Sequence, residues 1–364
     1  MSHIDDLIAK LCPDGVQFQT VENLLRKIMV EEALPKNEYK IQGIFPVINQ
    51  AQNLIAGYSD DEAKALPNGN YIVFGDHTRA IKWANFRFVP GESGTLVFNV
   101  IEQNNPKFIY YALKNLHIES RGYNRHWTVL RDFVIPLPPL EVQNEIVKIL
   151  DKFTELEAEL EAELEARKSQ YEFYRNELLS FKHVEEGGVR WVPMGDLLLK
   201  VNSYTAIAKN EYRSKGQFPI LNQGQELIAG YSDREDLALA AAEYIVFGDH
   251  TRAVKYINSP FIAGESGTLV FSVSDICRPK YLYFAFKNLE IQSRGYNRHW
   301  SVVKELQIQV PSLETQDRII AILERFSSLT GEFKDGIPSE IKARRQQYEY
   351  YREKLLTFKE LKSA

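Results

Sequence analysis

Residues 121–127, with the sequence RGYNRHW, combine side chains suited to nucleic-acid contact, and the same seven residues recur at 294–300. The guanidinium fork of arginine matches the O6 and N7 acceptors of guanine, and an asparagine amide matches N6 and N7 of adenine. Arginine also binds phosphate, and an aromatic ring can stack on a base. The segment therefore predicts a DNA-contacting loop with these candidates: Arg121, Tyr123, Asn124, Arg125, His126, and in the second copy Arg294, Tyr296, Asn297, Arg298, His299.

Residues 75–80 (GDHTRA) form a second polar segment, which recurs unchanged at 248–253. The segment follows a run of strand-forming residues, so we expect a turn with a solvated tip. No second histidine or cysteine stands at ligand spacing from His77 or His250, and a metal site is not predicted. The DNA-binding candidates in and after this segment are His77, Thr78, Arg79 and Lys82, with His250, Thr251, Arg252 and Lys255 in the second copy.

The chain contains an internal repeat at a constant offset of 173 residues. NQAQNLIAGYSD at residue 49 recurs as NQGQELIAGYSD at residue 222, and YIVFGDHTRA, GESGTLVF and SRGYNRHW recur unchanged at the same offset. Neighbouring stretches differ, as in KWANFRFVP against KYINSPFIA. The repeat indicates two near-duplicate recognition domains. An alternative is that the polar loops only cap their own domains. The identity of these segments in the two copies argues against that alternative.

Two kinds of periodicity surround the polar segments. Short β-branched or aromatic runs at 71–74, 94–98 and 133–135 predict strands, and residues 106–116 predict a helix of about three turns. Each copy is therefore expected to be a mixed α/β domain, and the chain an α+β protein.

A helical pattern follows each copy of the repeat. Apolar residues at steps of three and four predict one helix over residues 140–181, roughly 60 Å long at ~1.5 Å per residue. Its closing motif, RKSQYEFYRNELLSF at residue 167, recurs as RRQQYEYYREKLLTF at residue 344, which leaves four extra residues in the second helical region. Glycines and a proline there predict a break near 335–338. We expect the two helical regions to pack against each other through leucine and tyrosine faces.

The predicted organisation has four segments: recognition domain 1 at 1–139, spacer helix 1 at 140–182, recognition domain 2 at 183–312 and spacer helix 2 at 313–364. A length of 364 residues suits two domains, and 44% hydrophobic residues argues against large-scale disorder. The net charge of −5 conceals an acidic spacer, with seven acids and one base over 151–166, and a basic stretch, with eight bases and four acids over 71–131. A locally basic surface suits a polyanionic partner.

The expected cellular location rests on cysteine usage and on the absence of a membrane-spanning apolar run from the sequence. The two cysteines, Cys12 and Cys277, share no motif, so neither a disulfide framework nor a cysteine-based zinc site is predicted. The sequence begins with acidic residues where a secretory signal would be basic, and it has no apolar run long enough to span a bilayer. We expect a cytoplasmic protein without a membrane partner.

Catalytic motifs are not evident in the sequence. Residues 105–108 (NPKF) are faintly like the Asn-Pro-Pro-aromatic motif of amino-methyltransferases, but the middle proline is missing and the second copy has RPKY at 278–281. The chain also lacks a glycine-rich nucleotide fingerprint, a phosphate-binding loop and a nucleophile with its base. We predict neither a catalytic centre nor a bound cofactor in this chain.

Taken in order, these motifs resemble the specificity subunit of a Type I DNA restriction-modification enzyme. The resemblance rests on YIVFGDHTRA with GESGTLVF, the RGYNRHW loop, IPLPPLEVQNEIVKIL opening a spacer helix and QYEFYRNELLSF closing it, followed by the second set. It implies two target-recognition domains in a pseudo-two-fold arrangement, separated by two long helices that form an antiparallel coiled coil. Each domain would bind one half of an interrupted site on double-stranded DNA.

The resemblance also implies partners. The chain would be non-catalytic and would dock modification (methyltransferase) subunits, with restriction (translocase and endonuclease) subunits in the full complex. S-adenosylmethionine, ATP and Mg would be used by those partners.

One departure from the family concerns the target. Recognition domains of this family usually differ from each other, whereas here the polar loops coincide. Identical donors and acceptors on a two-fold frame predict half-sites that are the same or similar, in inverted orientation. Two alternatives stay open: a specificity subunit of a related system whose partner polypeptide fuses methylase and nuclease, and a coiled-coil adaptor that does not bind DNA.

Overall fold

The structure of the chain is a computed structural model that describes residues 3–30, 32–101, 103–181, 188–295, 297–330 and 337–361. The chain divides into two compact units. Unit 1 comprises residues 1–161 together with 340–364, and unit 2 comprises residues 162–339. Each unit therefore contains one copy of the repeat and helical segments from both predicted spacers.

The first half of the chain begins with a short helix and ends with the longest one. Its elements are α1 (His3–Leu11), β1 (Gln17–Thr20), α2 (Val21–Leu24), β2 (Leu25–Lys27), a 3-10 helix (Lys36–Glu38), β3 (Phe45–Ile48), β4 (Gly57–Ser59), β5 (Tyr71–Gly75), β6 (Ile81–Ala84), β7 (Val89–Pro90), β8 (Thr95–Val100), α3 (Pro106–Lys114), α4 (Trp127–Leu130), β9 (Val134–Leu137) and α5 (Leu140–Ser180).

The second half follows the same order from the first strand onward, with an added 3-10 helix and short strand before the strand equivalent to β5, and with two helices at its end. Its elements are β10 (Val189–Pro193), α6 (Met194–Leu197), β11 (Leu198–Lys200), a 3-10 helix (Lys209–Glu211), β12 (Phe218–Leu221), β13 (Gly230–Ser232), a 3-10 helix (Glu235–Leu237), β14 (Ala238–Leu239), β15 (Tyr244–Gly248), β16 (Val254–Ile257), β17 (Phe261–Ala263), β18 (Thr268–Val273), α7 (Pro279–Lys287), α8 (Trp300–Val303), β19 (Gln307–Pro311), α9 (Leu313–Thr330) and α10 (Ile337–Leu356).

Unit 1 is built around strand β5. Strands β2, β8, β5 and β6 form an antiparallel sheet in that order, β4, β3 and β7 form a second sheet, and β1 pairs with β9. Ile72 and Phe74 belong to the core that includes α3, whereas Tyr71 and Val73 belong to a second core beside Phe88. Because both faces of β5 are covered, its residues form an uninterrupted apolar run.

Unit 2 has matching sheets, with strand orders β11-β18-β15-β16, β13-β12-β17-β14 and β10-β19. It differs by the 3-10 helix at Glu235–Leu237 and by the short strand β14, which pairs with β17. The strands predicted at 71–74, 94–98 and 133–135 correspond to β5, β8 and β9, and the predicted helix at 106–116 corresponds to α3. The predicted mixed α/β character of both copies is confirmed.

Asn105 begins helix α3 and has a structural role. Its side-chain oxygen accepts hydrogen bonds from the backbone N–H groups of Lys107 at 2.9 Å and Phe108 at 3.2 Å, and Pro106 occupies the first turn. Asparagine followed by proline is a favourable start for a helix. The NPKF segment is thus explained by helix capping.

Helix α5 runs for 41 residues, and its first part packs against α10 within unit 1. Phe153 stacks on Tyr351, with ring centroids 5.5 Å apart. Farther along α5, the guanidinium of Arg345 donates to the carboxylates of Glu157 and Glu161. Ascending positions on α5 meet descending positions on α10, so this helix pair is antiparallel.

The last part of α5 packs within unit 2. Tyr174 stacks on Phe326 of α9, with ring centroids 5.2 Å apart, and Tyr171 lies in the same core as Ile319 and Leu323. The expected packing of helical segments is therefore present in both units.

The second spacer is described as two helices, α9 and α10. Pro338 lies in the first turn of α10, where proline is tolerated. The predicted break near 335–338 falls in part on residues 331–336, which lie outside the described residues. None of the helices described is both long and apolar enough to cross a membrane.

Candidate nucleic-acid interface

Strand β5 ends at Gly75, and residues 76–80 turn the chain back into β6. The backbone N–H of Arg79 donates to the carbonyl oxygen of Gly75 at 2.7 Å. Arg79 has a φ of +62°, and Arg252 in unit 2 has +64°, a left-handed conformation that the tight turn imposes. A Cβ atom on Gly75 would lie 2.5 Å from the carbonyl oxygen of Gln50, so the position requires glycine.

Asp76 connects this turn to the loop at residues 121–127. Its Oδ1 atom accepts a hydrogen bond from the backbone N–H of Trp127 at 2.8 Å. Its carbonyl oxygen accepts one from the backbone N–H of His126 at 2.8 Å. Asp76 is only 5% exposed, so its carboxylate is a buried anchor that joins segments fifty residues apart in sequence.

The imidazole of His126 is buried and hydrogen-bonded at both nitrogens. Its Nε2 atom accepts from the backbone N–H of Arg121 at 3.1 Å, so Nδ1 carries the proton and donates to the carbonyl oxygen of Asp76 at 2.9 Å. The neighbouring Trp127 packs on Phe98, with ring centroids 4.4 Å apart. These contacts fix the ends of the loop to the core of the domain.

The tip of the loop between these anchors is exposed. The ring of Tyr123, which is 81% exposed, stacks on the ring of His77 with centroids 4.4 Å apart and planes 6° apart. The amide of Asn124 donates to the carbonyl oxygen of Arg121. Arg121 and Arg125 are both exposed. The loop is therefore shaped by its own contacts and presents two guanidinium groups and an aromatic ring to solvent.

Unit 2 has the same anchors. The Nδ1 atom of His299 lies 2.9 Å from the carbonyl oxygen of Asp249, and Nε2 accepts from the backbone N–H of Arg294 at 3.1 Å. The Oδ1 atom of Asp249 accepts from the backbone N–H of Trp300 at 2.8 Å. The two units thus hold the loop by equivalent bonds.

The tip of the loop in unit 2 is also exposed. The amide of Asn297 donates to the carbonyl oxygen of Arg294 at 2.6 Å. The Nε atom of Arg298 lies 3.9 Å from Oδ2 of Asp249, and the Arg298 side chain is 77% exposed. Tyr296 lies outside the described residues.

Lys82 has its ammonium group inside unit 1. The Nζ atom donates to the carbonyl oxygens of Asn49, at 2.7 Å, and Asn53. Burial lowers the pKa of Lys82 to about 8, because the charged form is poorly solvated there. Lys255 donates to the carbonyl oxygen of Asn222 at 2.8 Å, and burial lowers its pKa to about 8 as well. Lys82 therefore holds the loop after β3 in place, and Lys255 holds the loop after β12.

The remaining side chains of the turn also bond within their own domain. The hydroxyl of Thr78 donates to the carbonyl oxygen of Gln50, and the Nη1 atom of Arg79 donates to the carbonyl oxygen of Ile118 at 2.7 Å. In unit 2, Thr251 donates to Gln223 and Arg252 to Ile291 in the same way. The turn is thus held to the segments on both sides of it.

Residues 14–166 and 189–343 each match the family model described as Type I restriction modification DNA specificity domain. The chain belongs to this family. It is similar to the specificity subunit of a type I restriction enzyme from Escherichia coli, with 30% identity over 98% of this chain and 97% of that protein. The family resemblance carried by the repeated motifs is confirmed.

Solved structures show the same fold for this specificity-domain chain. The crystal structure of a Type I restriction-modification S subunit from M. genitalium aligns over 94% of this chain and 96% of that chain, with a TM-score of 0.68 and 17% identity. A chain solved in work on complex assembly and conformational transition of the type I R-M system aligns over 95% of this chain and 98% of that chain, with a TM-score of 0.52 and 14% identity.

The structure divides the predicted contact residues of the two specificity domains into three groups. The loop tips are exposed: Arg121, Tyr123, Asn124, Arg125, Arg294, Asn297 and Arg298. The turns are half-buried or exposed: His77, Thr78, Arg79, His250, Thr251 and Arg252. The third group is buried: Lys82, His126, Lys255 and His299. The DNA contact expected of the third group has no exposed surface to act through, and we assign those four side chains a positioning role.

The sequence interpretation missed two kinds of residue in the specificity domains. Asp76 and Asp249 were not candidates, although each is the anchor of its loop. Lys114 and Lys287 lie beside the turns, where each lines a surface cleft. Asp76 is equivalent to Asp249, and Lys114 to Lys287, at the 173-residue offset. Their recurrence in both copies is the sequence feature that could have identified them.

Proposed function

We propose that this chain is the sequence-specific DNA-recognition subunit of a Type I restriction-modification complex. Each specificity domain would bind one half of an interrupted site on double-stranded DNA. Family membership supports this function over a coiled-coil adaptor that does not bind DNA. The observation that carries the proposal is the exposed tip of residues 121–125, which recurs at 294–298 on equivalent buried anchors.

The tips suit base recognition because their conformation is held before DNA arrives. Contacts from surface cations to phosphates come first, without sequence preference and with strong salt dependence. Selection then depends on donors such as the guanidinium of Arg125 and its equivalent Arg298 meeting base edges in the major groove. The loop of unit 1 is held by His126 and that of unit 2 by His299. A loop that is held in this way loses less conformational entropy when it binds DNA.

Identical tips have a consequence for the target. Because the same donors and acceptors occur in both domains, the two half-sites are proposed to be the same or nearly so, in inverted orientation. The target would then be an interrupted palindrome.

The chain has no catalytic step in this proposal. Modification subunits dock on it, restriction subunits join the full complex, and S-adenosylmethionine, ATP and Mg are used by those partners. The similarity to a chain solved in work on complex assembly of the type I R-M system supports such partners. The complex would act in the cytoplasm.

Mapping of methylated adenines in the host genome, with and without this gene, tests the proposal. We expect one methylated motif with two inverted, matching half-sites that disappears when the gene is deleted. Persistence of every methylated motif after deletion would refute the DNA-recognition function. Two unrelated half-sites that disappear together would refute the palindrome and leave DNA recognition standing.

A further inference from the structure

Each unit has a polar cleft beside the turn that follows its central strand. The cleft in unit 1 has a volume of about 410 Å³, and the one in unit 2 about 380 Å³. Seven lining positions are equivalent at the 173-residue offset, and they include a glutamine, an arginine and a lysine in both units. Those polar pairs are Gln52 with Gln225, Arg79 with Arg252, and Lys114 with Lys287.

The charge of the two clefts is positive. None of the described residues that line either cleft is acidic, whereas each cleft has one arginine and one lysine. Unit 1 adds His117 to the lining, and the equivalent residue in unit 2 is Glu290, which does not line the cleft. The cations and the glutamine are therefore retained in both copies, although a neighbouring position differs.

The cationic groups are held in place by the domain. The Nη1 atom of Arg79 donates to the carbonyl oxygen of Ile118 at 2.7 Å, and that of Arg252 donates to the carbonyl oxygen of Ile291 at 2.7 Å. The Nζ atom of Lys114 lies 5.8 Å from the centroid of the Tyr110 ring, and that of Lys287 lies 5.5 Å from the Tyr283 ring. The amide nitrogens of Gln52 and Gln225 donate to the carbonyl oxygens of Thr78 and Thr251, which holds the edge of each cleft. A guanidinium and an ammonium that line one cleft match the acceptor oxygens of a phosphate.

From this geometry we propose that each cleft binds one phosphate group of the DNA backbone, beside the loop tip that contacts the bases. The proposal rests on the DNA-recognition function and adds a division of labour to it. The clefts, through Arg79, Lys114 and their equivalents, hold the duplex in register. The exposed tips at 121–125 and 294–298 discriminate between sequences.

Salt-dependent DNA binding by the full chain with its methyltransferase partner tests the clefts. The test variant is Lys114→Gln with Lys287→Gln, which removes one cation from each cleft and leaves intact the hydrogen bonds that Arg79 and Arg252 donate to the carbonyl oxygens of Ile118 and Ile291. The logarithm of the binding constant is plotted against the logarithm of salt concentration for a target duplex and for a scrambled duplex. This slope is negative, and each lost phosphate contact makes it shallower by about 0.9, so we expect its magnitude to fall by roughly 2 for both duplexes. The ratio of the two binding constants should not change.

A matched control removes the same charge elsewhere. Lys36→Gln with Lys209→Gln alters exposed, equivalent lysines in the first 3-10 helix of each copy, and it should leave the slope unchanged. Lys114→Arg with Lys287→Arg keeps the charge and should restore the slope. A wild-type slope in the glutamine variant would overturn the phosphate sites. If the slope is unchanged and the methyltransferase subunit is also lost from the complex, the clefts are protein-docking surfaces instead. If the wild type itself shows no salt-sensitive binding to any duplex, the proposed function fails as a whole.

Discussion

The Nδ1 atom of His126 lies 2.9 Å from the carbonyl oxygen of Asp76, and the equivalent atoms of His299 and Asp249 are also 2.9 Å apart. In both units this contact joins the turn after the central strand to the loop that has the exposed arginines. The second ring nitrogen accepts from the first residue of that loop. A single buried side chain therefore closes the loop and attaches its ends to the segment that follows the central strand.

Replacing His126 and His299 by alanine should destabilise both domains. Each change removes a buried imidazole and with it two hydrogen bonds, one from the backbone N–H of the first loop residue and one to the carbonyl oxygen of the aspartate, which costs roughly 1–3 kcal/mol per site. Urea denaturation measures the loss in the free energy of unfolding. His117→Ala, at an exposed histidine of unit 1, is the control and should have little effect. Equal stability of the test and control variants would show that the imidazoles do not anchor the loops.

Replacing Arg125 and Arg298 by alanine should separate base recognition from phosphate binding. If these side chains contact bases, each lost pairing costs ~1–3 kcal/mol on the target duplex and much less on scrambled DNA. Titration of the complex with both duplexes at one salt concentration gives the two losses. Lys36→Ala with Lys209→Ala, at two exposed lysines, removes the same number of positive charges and controls for the change in net charge. Equal weakening on both duplexes would assign Arg125 and Arg298 to the phosphates.

The buried lysines predict a dependence of stability on pH. Burial lowers the pKa of Lys82 and of Lys255 to about 8 in the folded chain, from an ordinary value of 10.5. Between these values the unfolded chain binds more protons than the folded one, so this contribution to the free energy of unfolding rises as pH increases from about 8 to about 10.5. Lys82→Met with Lys255→Met should remove that rise.

Urea midpoints measured across this pH range compare the methionine variant with the wild type. Lys36→Met with Lys209→Met changes two exposed lysines and should keep the wild-type profile. The same upward slope in wild type and in the Lys82 and Lys255 variant would contradict a depressed lysine pKa.

Local sequence patterns predicted the elements but misplaced some side chains. Strand β6 shows why, because Lys82 and Ala84 are buried whereas Ile81 and Trp83 are only half-buried. Trp83 faces α3, where it packs near Tyr110 with ring centroids 5.9 Å apart. The other face of the sheet is also covered, and there the ammonium group of Lys82 meets backbone carbonyls of the loop after β3. A strand covered on both faces breaks the usual link between polarity and exposure.

Contacts between segments that are far apart in sequence could not be predicted from local patterns, because they form only when the chain folds. His126 lies in RGYNRHW, a segment with the composition of a DNA-contacting loop. The side chain is nevertheless buried, and its ring nitrogen lies 2.9 Å from the carbonyl oxygen of Asp76 in another segment. The pairing of Arg345 with Glu157 joins residues 188 positions apart. Helical periodicity predicted both spacer regions. It contained no information on which part of α5 would pack against α9 and which part against α10.

The length of α5 should set the gap between the two half-sites. Four residues, LEAE, inserted between Glu161 and Ala162 lengthen the helix by about 6 Å, which is close to two base-pair steps of DNA. The insertion lies where unit 1 ends and unit 2 begins, so it keeps the contacts of Glu157 and Glu161 with Arg345 in unit 1 and those of the last part of α5 in unit 2. Since four residues make about one turn, the helix faces stay nearly in phase.

Methylation mapping in cells that express the lengthened chain measures the outcome. We expect a wider gap between unchanged half-sites, because the loop tips at 121–125 and 294–298 are not altered and only the spacer is. Glu159→Gln, which changes the charge of α5 without changing its length, should give the wild-type gap. A lengthened chain that methylates the wild-type motif would show that some element other than α5 fixes the gap, whereas loss of both half-sites would mean that the insertion had disturbed the specificity domains themselves.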